Sequence, residues 1–434
     1  MKYTIWSLRP GADKRLRAGH PWVFSNELAA SPKGLKPGTP IQIVDARGGF
    51  LASGYGNPNS LISFRALSFR EQSANVCDPE WVKEQLLKVL WQRRQLGFHE
   101  SFRLCYGEGD FLPGLVIDRY LIEQDGEVGQ LFAMQILTYG MSEILKDVET
   151  FMKNFVEEAK AKGLSSHGWD QTAVVLRNDV NVRRLEGLEV EDSRVIKNLE
   201  GWNLNDVEIL LSSGSGSEIP IRMSADLVEG QKTGFFLDQA YNIGLLCDQL
   251  KHYEFQGDTV RILDLCCYVG QWSTKIAETL NQRGLKVEVT AVDVSAPALA
   301  FAKKNIERQS AVVNLRELDV LKDLGALPDR HYDIVIADPP AFIKAKKDVP
   351  TGKHAYLKLN TSAFKLVRRG GLVVSCSCSG LFEEAEMMDV LRKSLQRGEL
   401  QGRCIMHGGH SSDHPVLLSF NEGFYLKMFV HHCL

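Results

Sequence analysis

From about residue 259 the chain alternates short apolar runs with stretches in which apolar residues recur every three or four positions. The runs at 262–265, 287–292, 313–318, 334–337 and 372–374 have strand length. The stretches at 272–283, 296–309, 354–369 and 382–397 have helical periodicity. Apolar strands alternating with amphipathic helices predict an α/β fold with a doubly wound, mostly parallel, Rossmann-like sheet.

The first 72 residues follow another rhythm. Gly34, Pro37, Gly38, Gly48, Gly49, Gly54, Gly56 and Pro58 break up short apolar segments at 41–44 and 61–64. That punctuation predicts a small N-terminal β-barrel. A helix beginning near Asp13 would carry Lys14, Arg15 and Arg17. Between these regions, residues 78–100 predict a helix with Trp81, Val82, Leu86, Leu87, Leu90 and Trp91 on one face. Strands at 103–105, 114–117, 132–137 and 173–176 and a helix over 141–163 complete a middle α+β domain. A length of 434 residues accommodates about three domains. We place them at 1–74, 75–198 and 199–434.

Composition refines this picture at one point. Hydrophobic residues make up 44% and charged residues 24% of the chain, which excludes collagen-like, disordered and disulfide-scaffold classes. The net charge of −3 conceals an asymmetry: residues 1–75 hold ten Lys/Arg against four Asp/Glu. A basic module on a mildly acidic body points to a polyanionic partner. The mixed stretch after Met1-Lys2, with Arg9, Lys14 and Arg15, leads us to expect no leader, and no apolar run reaches membrane-spanning length. The cysteine count of nine is odd, with no paired zinc spacing. These features predict reduced thiols in a cytoplasmic protein without a metal site.

In a doubly wound sheet, ligands bind beyond the carboxyl ends of the strands. Those ends read Asp264 to Gly270, then Asp293-Val294, Asp319, Asp338-Pro-Pro-Ala-Phe342 and Ser375 to Gly380. Acidic residues at successive strand tips exceed what helix capping alone explains. A carboxylate after the second strand can accept both hydroxyls of a ribose. The first loop holds one glycine, Gly270, and matches no phosphate-cradling motif. A nucleoside lacking phosphates therefore fits, and S-adenosylmethionine is such a ligand.

Asp338-Pro-Pro stiffens a loop whose acceptors can grip an exocyclic amine. Two thiols follow the fifth strand. Methyl transfer to cytosine carbon 5 requires a thiolate to add first at carbon 6, making carbon 5 electron-rich. Cys376 lies nearer the strand and fits a packed core thiol. Cys378 lies beyond it, where a substrate can reach. Three readings remain open on the residues alone: cytosine carbon-5 methylation through Cys378, exocyclic-amine methylation through Asp338 without a covalent step, and an inactive RNA-binding assembly factor.

Seven segments in order carry a family resemblance: His20-Pro-Trp-Val-Phe24, Gly107 to Arg119, Gly230 to Gln239, Asp338 to Phe342, Ser377 to Gly380, Asp413 to Val416 and Glu422 to Lys427. The chain resembles bacterial large-subunit (23S) ribosomal RNA cytosine-C5 methyltransferases with an N-terminal PUA domain. The resemblance implies Cys378 as nucleophile with Asp338 beside it. It implies S-adenosylmethionine contacts from Asp264, Cys266, Tyr268, Gly270, Asp293, Val294, Asp319, Asp338, Phe235 and Asp238. It implies RNA contacts from Lys14, Arg15, Arg17, His20 and Lys232, ribosomal RNA as partner, and a homodimer. The first loop departs from the family run at Val269 and Gln271.

Overall fold

A computed structural model describes residues 3–71, 74–212 and 220–434. The chain divides into two compact units. The first comprises residues 1–210, 226–237 and 412–423, and the second residues 211–225, 238–411 and 424–434. The expected boundary at 74/75 falls inside the first unit.

The first unit opens with five strands: β1 (Thr4–Ser7), β2 (Trp22–Phe24), β3 (Thr39–Val44), β4 (Phe50–Gly56) and β5 (Ile62–Ser68). They pair in the order β1-β3-β4-β5-β2. The short helix α1 (Lys14–Arg17) lies between the first two strands. Alternate residues Ile41 and Ile43 of β3 point inward with Trp6, Val23 and Phe64, the period-two burial expected of a sheet with one face on a core.

Helix α2 (Pro79–Gln95) follows, capped by Asp78. Strands β6 (Phe102–Tyr106), β7 (Leu115–Gln124), β8 (Glu127–Ile136), β9 (Thr172–Leu176), β10 (Arg194–Lys197) and β11 (Val207–Leu211) form the main sheet of this unit. Val82, Leu86, Leu87 and Leu90 of α2 are buried, but Trp91 is 53% exposed. At 100° per residue, Trp91 turns away from the stripe centred between Leu86 and Leu90. The single helix expected over 141–163 is two, α3 (Tyr139–Ile144) and α4 (Val148–Ala161). Asp147 separates them, its carboxylate accepting from the Thr150 N–H at 3.0 Å as an N-cap does.

The second unit begins with strand β12 (Ile221–Ala225) and helix α5 (Ala240–Leu250). The alternating series then runs β13 (Thr259–Leu265), α6 (Gln271–Asn281), β14 (Lys286–Asp293), α7 (Ala296–Glu307), β15 (Val312–Glu317), β16 (Tyr332–Ala337), α8 (Val349–Leu366), β17 (Val367–Ser377) and α9 (Glu384–Arg397). It closes with β18 (Gly402–Gly408) and β19 (Lys427–Cys433). The sheet order is β15-β14-β13-β16-β17-β19-β18. The first five strands are parallel, and β19 runs antiparallel between β17 and β18. Strand order reverses between β13 and β16, so a crevice opens at their carboxyl ends. Apolar residues pack on both faces of the central strands: Ile262, Ile334 and Ile336 on one, Leu263, Leu265 and Val335 on the other. No helix among the described residues is long and apolar enough to cross a membrane.

Candidate active site

The turn from β13 into α6 is the most unusual backbone in the second unit. Cys266, Tyr268 and Gly270 have φ of 63°, 50° and 78°. Two non-glycine residues held in the left-handed region within one short loop carry strain that persists only where surroundings impose it. Those surroundings are visible. The Cys267 N–H donates to the Val292 carbonyl at 2.9 Å. The Tyr268 N–H donates to Asp293 Oδ2 at 2.9 Å. Asn305 Nδ2 donates to the Val269 carbonyl at 2.9 Å. A Cβ on Gly270 would sit 3.0–3.2 Å from Ile306 and Ala302 of α7, so both its φ and the tight packing favour glycine.

Three carboxylates converge here. Asp264, at the end of β13, is buried and accepts from Ser273 Oγ at 2.6 Å, while its Oδ1 has no partner. Burial pushes its carboxyl up to about 7, with Asp338 and Asp293 adding repulsion and the Ser273 bond opposing. Asp293 ends β14 and accepts from the Tyr268 and Ser295 N–H groups. Val294 beside it is 67% exposed. Asp338 follows β16, and its Oδ2 accepts from Gln239 Nε2 at 2.9 Å and Trp272 Nε1 at 3.0 Å. Burial holds the Cys266 thiol well above its usual range, and the charges of Asp293, Asp338, Asp264 and Asp319 raise it further. Asp319 itself lies in an exposed ion pair with Lys322 at 2.7 Å.

Cys376 within β17 and Cys378 just beyond its end differ sharply. Cys376 is fully buried, and burial raises its thiol well above the usual value. Cys378 is half-buried, with Sγ 3.8 Å from the Pro339 carbonyl. Its loop is tied to the Asp338 loop, since the Ile343 N–H donates to Ser379 Oγ at 3.1 Å. Ser377 Oγ donates to the Tyr356 hydroxyl at 3.0 Å, and Ser379 Oγ bonds the same hydroxyl at 2.9 Å. Burial, then the neighbouring Cys378 charge, pushes Tyr356 up to about 12. Lys427 of β19 donates to the carbonyls of Ser379 and Phe382 at 2.8 and 2.7 Å. Asp238 accepts from the Tyr425 hydroxyl at 2.7 Å.

The second unit therefore gathers Asp238, Asp264, Cys266, Tyr268, Gly270, Asp293, Val294, Asp319, Asp338 and Cys378. Phe235 and Lys232 fall in the first unit, where Phe235 is buried and Lys232 Nζ lies over the Phe236 ring at 4.2 Å. Also in the first unit, Lys14 is exposed, while Arg15 faces Glu27 and Glu422, and Arg17 faces Asp13 and Asp45. His20 is buried against Trp22 and Phe420. The Trp22 N–H donates to its Nδ1 at 3.1 Å. Sequence reasoning did not single out Trp272, Tyr356 or Lys427 for the site, and it reached Gln239 only as the end of the 232–239 segment expected to border the pocket. Gln239 and Lys427 end two of the family segments, the only available signal; Trp272 and Tyr356 reach the site through long-range packing.

Residues 7–69 match the PUA-like domain model, and residues 246–401 match the FtsJ-like methyltransferase model. The ribosomal RNA large subunit methyltransferase I of Pseudoalteromonas translucida is 29% identical over 430 residues, covering 97% of each chain. Its counterpart in Klebsiella pneumoniae (strain 342) is 28% identical over 430 residues, 97% of this chain and 96% of that one. A Streptococcus mutans protein assigned as a SAM-dependent methyltransferase superposes with TM-score 0.70 at 18% identity over 99% of each chain. SMU.776, assigned as a methyltransferase and solved with SAH, superposes with TM-score 0.68 at 19% identity over the whole of both chains. Residues 7–69 are thus similar to PUA-like domains, residues 246–401 to FtsJ-like methyltransferases on a Rossmann-like fold, and the chain is similar along nearly its full length to the ribosomal RNA large subunit methyltransferases I.

Proposed function

We propose that the protein is an S-adenosylmethionine-dependent methyltransferase that modifies carbon 5 of a cytosine in large-subunit ribosomal RNA. The relatives' names supply the RNA class. The observation that carries the chemistry is the contrast between a sealed Cys376 and a half-buried Cys378 lying against the Asp338-Pro-Pro loop.

The carboxylate-rich crevice fits the cofactor. Asp264 presents a buried oxygen without a partner, and a sulfonium cation is a natural neighbour for it and Asp338. Asp293 would accept the ribose hydroxyls and Val294 would cover one face of the base. Bound there, S-adenosylmethionine supplies the methyl group. Tyr268, Gly270 and Cys266 shape the loop around it. Asp238, Asp319 and Phe235 are proposed as outer contacts.

The protein's own part then follows. Cys378 adds as thiolate to carbon 6, forming a C–S bond and moving the ring π pair toward N3, with electron density returned to carbon 5. Asp338, oriented by Trp272 and Gln239, holds the N3/N4 edge of the base. Carbon 5 takes the methyl group, and loss of its proton re-forms the 5,6 double bond and expels the thiolate. We assign phosphate contacts to Lys14, Arg15, Arg17 and Lys232, with His20 shaping the barrel surface beside them, and treat 1–74, 75–198 and 199–434 as the functional segments. The same reading places the protein in the cytoplasm as a homodimer, which light scattering would test.

RNA carrying 5-fluorocytidine tests the covalent step. Fluorine cannot leave as a proton does, so the wild-type protein is expected to accumulate an RNA adduct on the Cys378 peptide. Methylation that proceeds without any adduct, or that survives Cys378→Ala, would assign the chemistry to an exocyclic amine instead.

A further inference from the structure

Lys427 is not needed to build the cofactor crevice, yet the fold holds it next to the nucleophile. In the antiparallel pair β17–β19 it lies directly opposite Ser377, the residue before Cys378. Two of its three ammonium protons are committed to the carbonyls of Ser379 and Phe382. Those carbonyls belong to one turn, closed by the Phe382 N–H donating to the Ser379 oxygen at 3.1 Å. The turn begins one residue after Cys378, so Lys427 fixes the chain on that side of the sulfur.

The ammonium also acts on the sulfur by charge. Burial disfavours the charged form of Lys427, and the Cys378 and Glu384 charges favour it. The interaction is mutual: a thiolate that stabilises an ammonium is stabilised by it to the same degree. Tyr356 and Cys376 are held in their neutral forms by burial, and the Pro339 carbonyl turns its oxygen toward the thiol.

We propose that Lys427 is a positioning residue for Cys378, pinning the Ser379–Phe382 turn and holding a positive charge beside the sulfur so that the thiolate forms readily. This inference rests on the reading of Cys378 as nucleophile, but its test does not depend on methylation.

The test is the pH profile of Cys378 alkylation by iodoacetamide, read by peptide mass spectrometry so that exposed Cys404 and half-buried Cys77 and Cys266 are scored separately. Lys427→Met is expected to move the midpoint upward by about one unit, a roughly tenfold slower reaction below it. Lys427→Arg is expected to restore most of the wild-type profile. Should Lys427→Met not fold, the reciprocal measurement decides: NMR titration of Lys427 in wild type and Cys378→Ser, where loss of the thiolate lowers the lysine midpoint. Superimposable alkylation profiles, or a Lys427 titration indifferent to Cys378→Ser, would overturn the proposal. If these shifts are observed but 5-fluorocytidine RNA traps no adduct, the proposed reaction fails while the coupling of Lys427 to Cys378 stands.

Discussion

The Trp272 indole donates to Asp338 Oδ2 at 3.0 Å, linking the first residues of α6 to the loop after β16. Gln239 donates to the same oxygen, so two neutral donors orient one carboxylate. Trp272→Phe keeps the ring's bulk and removes the donor. Hydrogen bonds to charged groups contribute on the order of 1.5–3 kcal/mol. The variant is therefore expected to lose about tenfold or more in kcat/KM for methyl transfer to ribosomal RNA, while binding S-adenosylmethionine within a few-fold of wild type. Unchanged turnover would show that Asp338 does not need this donor.

That link also shows where sequence reading stops. Strands β13, β14, β16 and β17 were legible because each is buried on both faces, and a run of apolar residues ending in Asp or Ser admits few other readings. The acidic tips Asp264, Asp293 and Asp338 followed from those strand ends. Trp272 did not, because nothing in its local pattern says that its nitrogen meets a carboxylate 66 residues away. Strands β18 and β19 were not anticipated: their residues follow no simple alternation, and β19 owes its place to pairing with β17. The passage of residues 412–423 into the first unit was equally hidden. It depends on Phe420 meeting Trp22 at 4.7 Å between ring centres, a contact no periodicity encodes.

Arg65 is a stability hinge within the first unit. Its guanidinium, 9% exposed, meets Glu108 and Glu186 at 2.9 Å each and lies over the Trp22 ring. Removing the cation leaves two carboxylates without it in a site largely shut from water. Breaking a buried ion pair from one side costs on the order of 3–5 kcal/mol. Arg65→Met is therefore expected to lower the urea midpoint of the first unit markedly, whereas Glu186→Gln with Arg65 intact costs less. Equal midpoints for Arg65→Met and wild type would refute the role.

Asp264 makes the ligand-free protein sensitive to pH. Its carboxyl is raised from 3.8 to about 7, by burial first and neighbouring carboxylates second. A group whose folded value is raised gives stability that is fully present below its unfolded value and lost as pH rises through the folded one. Ligand-free protein is thus expected to lose stability from this group between about pH 4 and pH 7. The upper limit is on the order of 4 kcal/mol, at 1.36 kcal/mol per unit. Asp264→Asn should flatten that slope in denaturation curves collected across the interval. A variant with the wild-type slope would place the titration elsewhere.

Lys344, Lys346 and Lys347 are exposed on the segment that follows Asp338-Pro-Pro. The same segment is held to the Cys378 loop by the Ile343–Ser379 bond, so charge on it lies on the chain that positions the nucleophile. In the basic N-terminal region, by contrast, Arg15 and Arg17 already face acids, which leaves less of its charge for phosphates. If RNA lies across the Cys378 loop, each lysine that meets a phosphate releases counterions and steepens the salt dependence by roughly 0.7 per contact on single strands. Replacing all three by Gln is expected to reduce the slope of log affinity against log salt by about 2. Binding of a labelled single-stranded oligoribonucleotide, titrated at several salt concentrations, measures it. Replacing Arg15 and Arg17 by Gln, two of the assigned phosphate contacts, is expected to reduce the slope by about 1, below the roughly 1.4 of two full contacts because both arginines also face acids. The opposite ranking would return the dominant phosphate contacts to the N-terminal module.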